Sequence, residues 1–163
     1  MKRRYMLFIV FFAAAAAVFA QERGRKQMPE SEFFIAPLAE ANLNSRDSAA
    51  YGGGLMFGYG VDGAAIGIRV VYSMSDDLCT LEPAIFLRVY VPDIKGNSGL
   101  FVQAETGPAL FGKNSLSEEV NAASAGLAAG WRFLPGDRVF LEGALRAGYP
   151  FIAGARLCLG IRF

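Results

Sequence analysis

Ten charged residues, four Glu and six Arg, carry the chemistry open to this chain: Glu40, Arg69, Glu82, Arg88, Glu105, Arg132, Glu142, Arg146, Arg156 and Arg162. Each sits in a run that alternates apolar with polar or small residues, on the side opposite to the apolar set. Guanidinium and carboxylate groups held together away from bulk water form short, multidentate ion pairs. An unpaired charge in such a place costs several kcal/mol, so pairing is expected. The pairs would fill an interior and fix strand register; a polar pathway or gate for small solutes is the sharper alternative. Glu40, Arg69, Glu105, Glu142, Arg146 and Arg156 form an expected middle layer, in which Arg156 would bridge Glu40 and Glu142.

Other chemistry is sparse. The chain has no His, which removes His-dependent acid–base catalysis and His metal ligation. Gly52-Gly53-Gly54 leads into more alternating sequence, not into a helix, so it is no phosphate loop. Glu118 and Glu119 with Asp76 and Asp77 make an acidic loop set, but carboxylates alone give no metal-specific spacing. No enzyme activity, cofactor or metal is therefore expected. Cys79 and Cys158 fall on opposite parities of distant segments, so no disulfide between them is expected.

The elements that must position the ten charges are strands. After Glu32 no helical stripe of useful length occurs. Eight alternating segments follow, at 33–44, 49–61, 64–74, 79–91, 99–111, 122–134, 138–149 and 154–163. Asp62-Gly63 between two of them is a hairpin signal. Pro37, Pro83 and Pro108 fall inside proposed strands; each lacks a ladder donor, so bulges or strand ends are expected there. The apolar parity carries Phe33, Tyr51, Tyr59, Tyr72, Trp131, Phe133, Tyr149 and Phe163, mostly near segment ends. Two interfacial aromatic girdles around a membrane barrel have this distribution. The opposite parity is rich in Gly, which suits a narrow lumen where Arg side chains need room.

The first thirty-two residues differ. Lys2, Arg3 and Arg4 precede an apolar stretch from Met6 to Phe19, and Val18-Phe19-Ala20 offers small residues before a cut. Residues 1–20 thus read as a cleaved secretory signal peptide. Residues 21–32 are polar and aperiodic and read as a flexible tail. The net charge of +1 gives no pointer to nucleic acid.

The ending Leu159-Gly160-Ile161-Arg162-Phe163 alternates strictly and stops on an aromatic. With the strand count, it resembles the small eight-stranded outer-membrane barrels: OmpX, the transmembrane domain of OmpA and, more loosely, OmpW. The resemblance covers residues 33–163. It implies an all-β, closed, antiparallel, up-and-down transmembrane barrel with an Arg/Glu-lined interior, in a bacterial outer membrane. It further implies that Leu159, Ile161 and Phe163 belong to a signal read by the barrel-assembly machinery, and that lipid is the main partner. It names no external partner. A structural or surface-interaction role with a largely plugged lumen is the expectation. An OmpW-like solute conduit and a soluble lipocalin-like carrier of an apolar ligand are the alternatives; the carrier requires the charges to face outward around an oily centre.

Overall fold

The computed structural model describes residues 31–43, 49–61, 63–75, 78–91, 99–113 and 120–163. The expected signal peptide, most of the expected tail and the acidic loop residues Asp76, Asp77, Glu118 and Glu119 lie outside the described residues.

The alternating segments form eight strands: β1 (Ser31–Leu43), β2 (Ala49–Val61), β3 (Ala64–Met74), β4 (Leu78–Tyr90), β5 (Gly99–Lys113), β6 (Val120–Phe133), β7 (Val139–Tyr149) and β8 (Ala153–Arg162). Each pairs antiparallel with its sequence neighbours, and β8 pairs with β1 to close the barrel. Closure leaves no free edge. The backbone of Phe163 exchanges hydrogen bonds with that of Phe33, at 2.8 and 3.3 Å, so the last residue is stitched into the closing seam. Gly63 takes φ 79° in the β2–β3 turn, a conformation glycine reaches without a Cβ clash. β1 starts and β8 ends at one end of the barrel, here the terminal end; the opposite end, where β1, β3, β5 and β7 finish, is the distal end.

The period of two decides the interior. Even-numbered β1 residues (Glu32, Phe34, Ala36, Leu38, Glu40, Asn42) are all buried, and the same alternation continues around the barrel. Arg69, Arg88 and Glu82 are wholly buried, while Leu145 and Leu157 on the outer face are 70% and 66% exposed. Charge inside and hydrocarbon outside is the inverse of a water-soluble barrel. Such an outer face would meet lipid at no polar cost; in water it would be one continuous apolar belt. The carrier reading falls here, because the ten charges do not face outward.

Two details differ from the sequence reading. β1 begins at Ser31, so Glu32, expected in the tail, lies inside the barrel. The three prolines neither end strands nor sit at bulges. They sit where ladders are interrupted. Pairing across β4–β5 runs from Leu78↔Lys113 to Leu81↔Leu110 and resumes at Ile85↔Thr106. The same register carried through the gap sets Pro83 opposite Pro108. Pairing across β1–β8 skips Ala36 and Pro37. Each proline keeps its place in the ladder on its other side. The missing donors are thereby confined to two seams. Replacing both Pro83 and Pro108 by Val should restore two ladder bonds and raise stability by about 1–3 kcal/mol. Denaturant unfolding in lipid vesicles would read this as a higher midpoint; an unchanged or lower midpoint would show that the interruption has another cause.

Candidate functional site

The candidate site is the lumen, and its charges separate into two layers along the barrel axis. In the distal layer Arg69 donates from Nη1 to Glu40 Oε1 at 2.9 Å and from Nη2 to Glu105 Oε1 at 3.1 Å. Arg146 reaches Glu82 Oε2 at 3.2 Å and Glu105 Oε1 at 3.0 Å. Arg156 lies 3.6 Å from Glu40 and 3.5 Å from Glu105. Three cations meet three anions, so this layer is neutral.

In the terminal layer Glu142 accepts a bidentate pair from Arg88, Nη1 to Oε2 at 2.8 Å and Nη2 to Oε1 at 2.7 Å. It also accepts from Arg132 Nε at 3.0 Å. Arg132 donates from Nη1 to Glu32 Oε1 at 2.8 Å, and Glu32 Oε2 accepts from Arg162 at 3.1 Å. Arg162, at the rim, donates its Nε to the carbonyl of Asp137. Gln103 joins the layers, accepting from Arg88 and donating to Glu105 at 3.0 Å.

Register explains the partner choice. Arg132 faces Glu142 across β6–β7, and Glu40 faces Arg156 across β8–β1. Arg88 on β4 and Glu142 on β7 meet across the barrel, as do Arg146 on β7 and Glu82 on β4. The expected Arg156–Glu142 bridge does not form. Arg156 faces Ala144, while Glu142 faces Cys158, one inward position nearer the terminal end, and is already held by Arg88 and Arg132. Glu82, not Glu142, completes the distal layer. Glu32 is a lumen residue that sequence reasoning placed elsewhere, although it shares the even parity of Phe34 and Glu40.

A second group was absent from the expected lumen. Phe34, Phe86, Phe101 and Phe140 all point inward in the terminal half, and each faces a glycine on the neighbouring strand: Gly58, Gly67, Gly130 and Gly160. A Cβ at any of the four would collide with the facing ring. The lumen glycines were expected to make room for Arg; these four make room for Phe. The rings in turn carry guanidinium groups. Arg88 sits 4.0 Å from the Phe101 centroid, and Arg132 sits 4.0 Å from that of Phe140 and 4.5 Å from that of Phe34. Desolvated contacts of this kind are worth about 2 kcal/mol each.

The remaining expectations find their places as follows. Phe33, Tyr59, Trp131, Phe133 and Phe163 lie outward near the terminal end, with Phe33 and Tyr59 rings 4.7 Å apart. Tyr51, Tyr72 and Tyr149 lie outward near the distal end. Leu159 and Ile161 are outward on β8. Both cysteines are free; Cys158 faces the lumen, whereas Cys79, on the outward parity, is nonetheless covered. No group of three metal-ligating side chains occurs among the described residues.

Glu142 serves two buried cations, so Glu142→Gln should cost about 3–5 kcal/mol of stability, whereas Arg162→Ala at the half-open rim should cost about 1 kcal/mol or less. Urea unfolding in lipid vesicles checks the contrast; equal effects would show that the ring around Glu142 adds no more than a surface pair.

The sequence matches no protein-family model and no curated protein. Solved structures of similar fold include natural barrels and a de novo designed chain. The neisserial surface protein A superposes with a TM-score of 0.61 at 10% identity, over 83% of this chain and 98% of that one. The N-terminal β-barrel domain of OprF from Pseudomonas aeruginosa gives 0.54 at 16% identity, over 83% and 100%. The outer membrane protein OprG from the same organism gives 0.52 at 12% identity, over 83% and 97%. The chain thus has the fold of the small eight-stranded outer-membrane β-barrels.

Proposed function

We propose that this protein is an integral component of a bacterial outer membrane, with a structural or surface-interaction role and a lumen closed to solutes. The observation that carries the proposal is the pairing across the barrel. Arg88 reaches from β4 to Glu142 on β7 between phenylalanine rings, and Arg146 reaches from β7 to Glu82 on β4. An eight-stranded barrel is just wide enough to be filled by its own side chains, and these side chains span it. Similarity of fold to outer-membrane structures supports the location, and one of those neighbours is by name a surface protein. In this reading the terminal end faces the periplasm, as is usual for such barrels.

The N-terminal segment fits the same proposal. Residues 1–20 act as the cleaved signal that brings the chain across the inner membrane, and the alternating ending with Phe163 is read by the assembly machinery. No catalysis is assigned: the lumen holds carboxylates already committed to guanidinium partners, and no His is present to act as a base. The conduit reading would need a continuous polar path, and the rings and paired charges of the terminal layer argue against one.

Reconstitution into planar bilayers decides between the two. The mature protein is expected to show no sustained single-channel conductance at moderate voltage, while fractionating with the outer membrane and migrating faster unheated than heated in detergent gels. Steady open channels in the folded protein would replace the closed-lumen role with that of a conduit.

A further inference from the structure

The two layers differ in how completely their charges are satisfied within the protein. In the terminal layer the Nε of Arg88 is bonded to Gln103 and that of Arg132 to Glu142. The planes of both guanidinium groups are flanked by aromatic rings. In the distal layer the Nε atoms of Arg69, Arg146 and Arg156 all lack a hydrogen-bond partner in the protein, though each residue is less than 5% exposed. Arg156 Nη2, Glu82 Oε1 and Ser73 Oγ are in the same position. Among the described residues, only Arg132 Nη2 is so placed in the terminal layer. Among the described residues, no ring carries a guanidinium group of the distal layer; the ring contacts are those of Arg88 and Arg132.

A buried donor or acceptor left unpaired costs about 1–3 kcal/mol, and the usual remedy is an ordered water with two to four polar partners. The distal layer offers both donors and acceptors: Arg69, Arg146 and Arg156 supply N–H groups, while Glu82 and Ser73 supply oxygens. A rigid apolar wall offers no such remedy, and the terminal layer needs almost none.

We infer that the distal half of the lumen is a hydration site, a blind chamber whose ligand is water bound between these arginines and Glu82, and that the guanidinium–phenylalanine ring is the seal that closes it. This rests on the closed lumen proposed above and adds where the closure lies. Cys158 marks the boundary: on β8 it lies between Arg156 of the distal layer and Gly160, which faces the Phe140 ring.

Two measurements test the halves separately. In the folded wild-type protein in lipid nanodiscs, NMR exchange of arginine Hε with water reads hydration directly. The Hε of Arg69, Arg146 and Arg156 should exchange about tenfold faster than those of Arg88 and Arg132, the ratio that one hydrogen bond of about 1.4 kcal/mol confers. Equal exchange, or faster exchange in the terminal layer, overturns the hydrated chamber. The seal is tested by conductance. The double variant Phe34→Ala/Phe140→Ala should open steady channels, whereas the charge-neutral double variant Glu82→Ala/Arg146→Ala should stay closed. Conductance in the distal variant alone, in neither, or equally in both overturns the placement of the seal. Conductance in the wild type would instead sink the closed lumen itself, and the exchange experiment on unaltered protein stands even if the phenylalanine variant fails to fold.

Discussion

The stacking of two buried guanidinium groups on phenylalanine rings is the interaction on which this barrel depends. Arg88 and Arg132 are buried, at 0% and 1% exposure. A cation so placed is tolerable only if its in-plane donors find acceptors and its faces find something polarisable. Glu142, Gln103 and Glu32 supply the acceptors. Phe34, Phe101 and Phe140 supply the faces. The rings fit because each stands over a backbone without a Cβ. Glycine in a strand ordinarily weakens it, and a cross-strand aromatic laid over it recovers contact area. The cost of four glycines is thus offset by the rings they admit, and the rings make the cations tolerable.

This chain of dependence also sets the register. Every distal hairpin, β1–β2, β3–β4, β5–β6 and β7–β8, contributes one Phe–Gly pair in direct opposition. A slip of one residue would turn a ring into the lipid and a charge after it. In a bilayer that error is expensive, because a charge on the lipid face at mid-depth costs about 2–4 kcal/mol. Lumen chemistry and strand pairing therefore enforce each other.

Much of this was legible in the sequence. Alternation gave eight strands, with bounds shifted by at most a few residues, because a period of two is a local property. The inward parity of all ten charges followed from the same count, and so did the outward parity of Tyr51, Trp131 and Phe133. What was not legible was depth. Whether Arg156 meets Glu142 or Glu105 depends on stagger between strands, a property of closure that no single segment carries. Phe34, Phe86, Phe101 and Phe140 were readable by parity, but a phenylalanine among charges does not declare whether it fills space or carries a cation. Glu32 shared the parity of Glu40 eight residues on, yet polar composition before it masked the start of β1. The prolines were misplaced for a related reason: a missing donor is local, but the seam it faces is not.

Asymmetry between the layers follows from the same physics. Packing aromatic rings around a charge removes room for water and demands full pairing in its place, as at Arg88. Leaving out the rings, as around Arg69, Arg146 and Arg156, keeps the charges mutually neutralised but leaves directional bonds unfilled. Net charge and hydrogen-bond count are separate requirements: three Arg against three Glu balance the first, while three guanidinium groups offer more N–H donors than neighbouring oxygens accept. A barrel closed by ion pairs alone would therefore stay partly unsatisfied along its whole length. Rings over glycine reduce that deficit, among the described residues, to the single Nη2 of Arg132 in the terminal half.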